Sequence, residues 1–225
     1  MTSRYDEIAG NLTLVLDQVK SAAKSSGRKQ EEITLIAVTK TFPISDVHIL
    51  ASLDVHHYGE NRDADAAPKA AAVPGTWHFQ GQIQSNKLKS IASWAHVIHS
   101  LDEIRHIETL DKVASHRIGV FLQVSLDGAE GRGGANPAGL SALADCVLGS
   151  SNLDLLGLMA VAPLEVSSDQ AFEKLALIHA GFKAYYPMAT SLSAGMSNDF
   201  ESAITHGATH IRVGSSILGS RPTPH

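Results

Sequence analysis

The sequence predicts an α/β fold: a single closed (β/α)8 barrel with an extra helix in front of the first strand. Short β-branched runs alternate with helical runs along almost the whole chain, which indicates right-handed βαβ units and a parallel sheet. The chain has 225 residues, a length at which α/β barrels form one unit, so residues 1–225 are predicted as one domain. An open doubly wound sheet is the alternative, since strand counts from one sequence are imprecise.

The elements follow one another in a regular order. Ile8, Leu12, Val15, Leu16 and Val19 recur at helical spacing and predict the N-terminal helix, which ends at residues 25–27. The predicted strands are 33–40, 55–58, 77–80, 95–99, 118–125, 153–161, 190–193 and 210–214. Helices are predicted to begin near residues 45, 64, 86, 102, 137, 169 and 199, and a short helical turn follows the last strand.

Composition excludes several classes of function. Hydrophobic residues make up 44% of the chain and charged residues 18%, which supports a sizeable core. The net charge of −5 does not favour binding to a nucleic acid or to an acidic membrane surface. The apolar runs are too short to span a bilayer, and residues 1–10 carry no secretory signal pattern, so a cytoplasmic location is expected.

Cysteine and histidine usage gives two further expectations. Cys146 is the only cysteine, which excludes an intramolecular disulfide and fits a reducing compartment. Its spacing from Leu143 and Val147 predicts a buried helix face. The twelve histidines are scattered and show no His-Glu-x-x-His pattern, so no metal site is predicted.

Lys40 is the sharpest candidate for chemistry. It ends the first predicted strand, whose apolar run 33–38 is typical of a strand buried on both faces. In a parallel barrel, the carboxyl ends of the strands form the functional mouth. Desolvation lowers the pKa of a lysine, and a neutral amine can form a Schiff base with an aldehyde. A solvated ammonium at a strand end is the plainer alternative.

Two small, hydroxyl-bearing segments follow the seventh and eighth strands, where barrels often bind phosphate. They are residues 193–197, with Ser197, and residues 212–219, with Gly214 and Ser215. Backbone N–H groups at such turns form a site for anions, although ordinary surface turns have the same composition.

Three further side chains could face the same mouth. Arg212 lies two residues before Gly214 and should share its face of the strand, where it could donate to an uncharged ring nitrogen or form an internal salt bridge. Asn61 could contact a ring hydroxyl or close an Asx turn. His78 is a cofactor neighbour or a structural barrel histidine. The loop 128–134 is not a P-loop, since no Gly-Lys-Ser/Thr follows it, and is interpreted as a lid containing Arg132.

Six ordered segments resemble the pyridoxal phosphate homeostasis family over nearly the whole chain. They are residues 37–41 (AVTKT), 58–61 (YGEN), 77–87 (WHFQGQIQSNK), 157–160 (GLMA), 193–199 (SAGMSND) and 212–219 (RVGSSILG). The resemblance implies a TIM barrel like the N-terminal domain of alanine racemase, of pyridoxal 5′-phosphate (PLP) fold type III, lacking the C-terminal β domain.

The resemblance also implies a cofactor and its contacts. PLP would be held as an internal aldimine on Lys40, with Arg212 at the pyridine nitrogen and Asn61 beside the ring. Ser197, Gly214 and Ser215 would hold the phosphate. The sequence departs from the family pattern at Gln80, where an aliphatic residue is expected, at Arg132, where lysine is common, and at Leu218, where phenylalanine is usual.

Three functions stay open at this point. The first is a carrier that buffers PLP and delivers it to apo PLP-dependent enzymes, affecting amino-acid and keto-acid balance, as a monomer or weak dimer. The second is a PLP-dependent amino-acid racemase or related enzyme of low activity. Arg212 at the ring nitrogen and the lack of a marked catalytic tyrosine favour the carrier over vigorous catalysis. The third is a PLP-free aldolase that forms its Schiff base on Lys40.

Overall fold

Eight parallel strands close into a barrel in chain order in a computed structural model that describes residues 3–129 and 133–220. The strands are β1 (Thr34–Val38), β2 (His57–Glu60), β3 (Thr76–Phe79), β4 (Val97–Leu101), β5 (Ile118–Gln123), β6 (Leu153–Met159), β7 (Ser191–Met196) and β8 (His210–Val213). Because β1 pairs with both β2 and β8, the ring is closed. The predicted (β/α)8 barrel is therefore confirmed, and the open doubly wound alternative is wrong.

Helices alternate with the strands and cover the barrel. They are α1 (Arg4–Ser25), α2 (Ile44–Ser52), α3 (Asp63–Ala72), α4 (Leu88–Ile91), α5 (Ile104–Val113), α6 (Leu140–Leu148), α7 (Ser168–Tyr185), α8 (Phe200–Thr205) and α9 (Ser215–Leu218). Single 3₁₀ turns precede α4 and α6, so these two helices begin slightly later than predicted. None of the helices in the described part of the chain is long and apolar enough to cross a membrane.

The extra helix α1 holds the segment that follows β8. Ser3 and Asp6 form a capping box at its start, and its apolar face packs against α8 and α9. Asn11 Nδ2 donates to the carbonyl of Ile217 at 3.0 Å, and an Arg4 N–H donates to the carbonyl of Leu218 at 2.8 Å. The N-terminal helix thereby fixes the position of the predicted phosphate segment.

Two strands begin two residues later than the sequence predicted, because the residues predicted to begin them close the ends of the preceding helices. The predicted 55–58 is β2 at His57–Glu60, and the predicted 95–99 is β4 at Val97–Leu101. Val55 N–H closes the end of α2 on the carbonyl of Leu50, and Ala95 N–H closes α4 on that of Ile91. The apolar residues at 55 and 95 are thus helix-end residues, and Glu60, expected in a loop, lies in a strand.

Two further boundaries differ in ways that affect the site. β1 ends at Val38, so Lys40 lies in the turn after the strand and not within it. β7 continues to Met196, past the predicted end at Ser193, because a register shift and Gly195 at φ 90° let the irregular strand go on. Ser193 therefore lies within a strand and is fully buried.

Two predictions about packing have separate outcomes. Cys146 is only partly buried, because α6 turns Leu143 and Val147 fully toward the core and leaves Cys146 at the edge of that face. His78 is buried inside the barrel, which agrees with the structural alternative for this residue.

Candidate functional site

The six residues predicted to bind the cofactor all line one cavity of about 490 Å³ at the carboxyl ends of the strands, whereas His78 does not line it. The turn after β1 contributes Lys40, the segment after β2 contributes Asn61, and β8 contributes Arg212. Ser197, Gly214 and Ser215 line the side formed by the segments after β7 and β8. The structure thus brings together residues that are up to 175 positions apart, 40 to 215, as the barrel prediction required.

The turn that carries Lys40 has a strained backbone. Thr41 adopts φ 70°, a left-handed conformation that β-branched residues rarely occupy. Such a conformation costs about 1–3 kcal/mol and persists only where surrounding contacts determine it. Thr39, on the other side of Lys40, is fully buried, and its carbonyl accepts the N–H of Phe42 at 3.1 Å across the turn.

A buried ion pair anchors Thr39. Lys69 Nζ lies 2.6 Å from Glu60 Oε1 and donates to the carbonyl of Thr39 at 2.9 Å. The hydroxyl of Thr39 donates to the same carboxylate oxygen at 2.7 Å. Glu60 is fully buried and Lys69 almost so. The backbone immediately before Lys40 is therefore held from both its carbonyl and its side chain.

Arg212 brings a buried positive charge to the floor of the cavity. It is 5% exposed, donates one N–H to Ser193 Oγ at 2.6 Å and another to the carbonyl of Ala160 at 2.9 Å. Burial lowers the pKa of its guanidinium to about 10, and the charge of Asp199 opposes that shift. The side chain is still a cation and a pure donor at neutral pH. Its side-chain hydrogen bonds go to a hydroxyl and a carbonyl, and among the described residues no carboxylate forms the salt bridge of the alternative interpretation.

The segments after β7 and β8 bring backbone donors together. The hydroxyl oxygen of Ser197 accepts N–H groups from Gly214 at 3.2 Å and from Ser216 at 3.4 Å. Ser216 Oγ donates to the Ser197 carbonyl at 3.3 Å. The backbone N–H groups of Gly214 and Ser216 therefore converge on one acceptor oxygen, that of the Ser197 hydroxyl. Ser216 was not singled out in the sequence, although it lies next to Ser215 in the same motif.

Asn61 and Gln80, which follow β2 and β3, line another part of the cavity. Gly81 allows this arrangement, because a Cβ at that position would lie 2.0 Å from the Asn61 carbonyl oxygen. Gln80 lines the cavity, and its Nε2 is buried without a hydrogen-bond partner in the described residues. The family departure at Gln80 therefore places an unsatisfied donor at the site.

Two further expectations from the sequence concern a lid and the lack of a metal site. Arg132 lies outside the described residues. One group in the described ranges has potential metal-binding atoms that all lie within 4.8 Å of one another. It consists of Asp102, Glu103 and His106. Asp102 accepts the N–H of Gly134, and Glu103 pairs with Arg105. The expectation of no metal site stays a prediction.

The donors around the cavity fit a phosphate-bearing aromatic aldehyde. Lys40 offers an amine, Arg212 offers N–H donors to a ring nitrogen, and the amides of Gly214 and Ser216 converge on an acceptor oxygen. The buried Nε2 of Gln80 has no acceptor within the described residues. No carboxylate of the lining other than Asp199 faces this set, so the charge of the wall favours an anion.

Known proteins resemble this chain over nearly its full length. The family model described as alanine racemase, N-terminal domain, matches residues 12–222. A pyridoxal phosphate homeostasis protein of Mycobacterium tuberculosis is 40% identical, over 97% of this chain and 94% of its own length. PipY of Synechococcus elongatus, solved with PLP bound, superposes with a TM-score of 0.80 at 30% identity, covering 94% of this chain and 100% of that one.

Alanine racemase of Clostridium difficile superposes with a TM-score of 0.76 at 13% identity, covering 97% of this chain and 58% of the racemase. That likeness concerns the fold alone. The full-length matches at 40% identity, the family model and the barrel agree with the six sequence motifs. The chain belongs to the pyridoxal phosphate homeostasis family, whose members are built on the barrel of the alanine racemase N-terminal domain.

Proposed function

We propose that this protein binds PLP covalently through Lys40 and acts in the cytoplasm to buffer PLP and deliver it to apo PLP-dependent enzymes. The observation that carries the proposal is the convergence of Lys40, Arg212 and the Ser197–Gly214 segments on one cavity. A relative of 30% identity has been solved with PLP bound, and this supports the same ligand here. The carrier is proposed as one domain, residues 1–225, active as a monomer or weak dimer.

Each wall of the cavity has a distinct task in this proposal. The Lys40 amine condenses with the aldehyde and releases one water. The covalent bond formed in this way anchors the cofactor. Arg212 donates to the pyridine nitrogen, and because arginine keeps its protons, that nitrogen stays unprotonated. Ser197, Gly214 and Ser215 hold the phosphate, and Asn61 contacts the ring. An unprotonated pyridine ring withdraws electrons poorly, which favours storage of the cofactor over catalysis.

The positions of the tyrosines also favour a carrier over a racemase. Racemisation needs proton donors on both faces of the cofactor, and tyrosine is one such donor. All four tyrosines of the chain lie in the described residues, and none of them lines the cavity. Tyr58 is buried and donates to the carbonyl of Val55, while Tyr186 donates to Asp145.

The visible absorption spectrum of the purified protein tests the cofactor anchor. A PLP Schiff base absorbs near ~420 nm, so the wild type should show this band and Lys40→Ala should lose it. Lys40→Arg keeps the charge but cannot condense, and it should lose the band as well. Lys24→Ala, at an exposed position on α1, is the matched control and should keep it. A wild type without the band after addition of PLP would exclude this anchor and restore the aldolase alternative.

Two assays on the PLP-loaded protein separate the carrier from an enzyme. Incubation with L-alanine should give negligible D-alanine, and turnover at ordinary enzyme rates of about 1–10³ per second would overturn the carrier. An apo PLP-dependent enzyme mixed with the loaded protein should regain activity. Adding a phosphatase that destroys free PLP then distinguishes direct delivery from release into solution.

A further inference from the structure

Three histidines and a serine cross the barrel interior in one unbroken series of hydrogen bonds, here called the histidine chain (His57, His78, His99 and Ser193). His57 Nδ1 lies 3.0 Å from His78 Nε2, and His78 Nδ1 lies 2.9 Å from His99 Nε2. His99 Nδ1 lies 2.8 Å from Ser193 Oγ. The N–H of Arg212 that reaches the same hydroxyl oxygen joins this series to the cavity.

The barrel stagger explains the route of the histidine chain. His57 begins β2, and His78 is the third residue of β3, where it pairs with Gly59, two residues beyond His57. His99 is likewise the third residue of β4 and stacks on Phe121, with ring centroids 4.5 Å apart. The series thus starts at a partly exposed imidazole and climbs into the closed interior toward Arg212.

Arg212 fixes the direction of these hydrogen bonds. A guanidinium only donates, so Ser193 Oγ accepts from it. Within the described residues, the acceptor that the structure offers to the hydroxyl hydrogen of Ser193 is His99 Nδ1. A neutral imidazole whose Nδ1 accepts must carry its hydrogen on Nε2.

The same rule then assigns the donor and the acceptor nitrogen of the other two imidazoles. His99 Nε2–H donates to His78 Nδ1, and His78 Nε2–H donates to His57 Nδ1. His57 is partly exposed, so water can accept the hydrogen of its outer nitrogen. Each contact then has one donor and one acceptor.

An extra proton within the series would break it. It would set two hydrogens against each other across one of the short contacts, and at His99 it would place a second buried cation beside Arg212. Burial accordingly lowers the pKa of His57, and it lowers the pKa values of His78 and His99 well below the usual value. Neighbouring histidines contribute to all three shifts, and Arg212 contributes to that of His99.

We propose that the histidine chain is a one-way hydrogen-bond chain of three Nε2–H imidazoles that positions Arg212. The direction of the chain turns a lone pair of the Ser193 hydroxyl toward the guanidinium and its hydrogen away from it. The histidines are thus positioning residues that act on the cavity through Ser193 without lining it. The proposal concerns the protein's own side chains, so it would stand even if the Lys40 spectrum excluded the cofactor anchor.

Nitrogen NMR of the full-length wild type, without added cofactor, tests the direction of the chain. Long-range ¹H–¹⁵N correlation of the histidine rings distinguishes the Nε2–H tautomer, the Nδ1–H tautomer and the imidazolium. At pH 7.5 the three rings should be neutral and protonated on Nε2. Signals are assigned by single His→Gln variants. A ring of the series found as the Nδ1–H tautomer or as imidazolium would overturn the proposal, and this measurement needs no variant to fold beyond those used for assignment.

Variants test whether the chain transmits its order. Ser193→Ala removes the hydroxyl hydrogen, so His99 and also His78, which Ser193 does not touch, should become mixtures of tautomers. Ser193→Thr keeps a hydroxyl and should restore pure Nε2–H signals. His210→Gln is the control, since His210 packs edge-on to Phe121 but its ring nitrogen bonds to Thr209, outside the series. Unchanged tautomers in folded Ser193→Ala would contradict the proposal.

The effect on Arg212 has its own readout. His78→Leu breaks the series at a residue that does not contact Arg212. The guanidinium N–H signals of Arg212 should be resolved in the wild type and broadened by faster rotation in His78→Leu. Identical Arg212 signals in the folded variant would show that the chain does not position the guanidinium.

Discussion

The buried pair of Glu60 and Lys69 should make the backbone immediately before Lys40 sensitive to a single substitution. Lys69→Met keeps much of the aliphatic side chain but removes the ammonium 2.6 Å from Glu60 Oε1. The carboxylate is fully buried, and its Oε2 has no hydrogen-bond partner in the described residues. In the described residues, the hydrogen bonds to this carboxylate therefore all reach Oε1, from Lys69 and Thr39.

Removing one partner of a buried pair costs about 3–5 kcal/mol, because it leaves an uncompensated charge. Loss of the hydrogen bond from Lys69 to the Thr39 carbonyl should add about 1 kcal/mol. For a chain of this size, each 1 kcal/mol corresponds to roughly 2–4 °C in the midpoint of thermal unfolding. We expect Lys69→Met to lower that midpoint by roughly 8–24 °C, taking both contributions together.

Thermal unfolding followed by circular dichroism measures the midpoint, and urea unfolding measures the free energy of unfolding. A double variant isolates the cause of the change. Glu60→Gln added to Lys69→Met removes the unpaired charge but keeps an acceptor for the Thr39 hydroxyl. The double variant should regain most of the lost free energy of unfolding. If it is no more stable than Lys69→Met alone, a buried uncompensated charge is not the cause and the reasoning fails.

Two further predictions concern the barrel interior and the cavity wall. Burial lowers the pKa of His210 to about 4, whereas an unfolded histidine titrates near ~6.5. The contribution of His210 to the free energy of unfolding is therefore fully present above pH ~6.5 and is lost as the pH drops from ~6.5 toward ~4. Protonation of His210 alone should lower the free energy of unfolding at pH 5 by about 2 kcal/mol relative to pH 8. The midpoint of urea unfolding should therefore change less with pH in His210→Gln than in the wild type, and equal slopes would exclude this contribution. Gln80→Leu removes the unpartnered buried Nε2, so the free energy of unfolding without cofactor should rise by about 1 kcal/mol in urea unfolding. A fall of that size would show that this amide is satisfied.

The sequence predicted the barrel and the composition of the cavity wall because both depend on local patterns. Strand and helix periodicity gave the order of the elements, and the rule that barrel sites lie at the carboxyl ends of strands selected Lys40, Arg212 and the glycine segments. Boundaries were wrong where tertiary contacts decided them. Val55 has strand propensity, but its N–H completes the end of α2 after Asp54 turns to φ 65°.

The supporting residues were not predicted, because their partners are far apart in the chain. Glu60 was expected in a loop, and Lys69 was not singled out within the predicted helix that begins near residue 64. One signal was present: His57, His78 and His99 are spaced by 21 residues, and Thr39 and Glu60 have the same separation. That spacing is close to the step from one strand to the next between β1 and β5, so in this half of the barrel it indicates residues that meet on adjacent strands.

The polar interior gives a physical reason why the fold and the cavity are coupled. Barrel interiors are usually filled by Val, Ile and Leu, which pack well and demand no particular partner. Here His78, His99, Ser193 and Arg212 are buried instead, and each such polar group costs about 1–3 kcal/mol if its hydrogen bond is lost. A change at any one residue must therefore propagate, since its neighbour keeps a desolvated donor or acceptor. An interior built in this way stabilises one orientation of Arg212 and penalises the others, which an apolar core of equal volume could not do.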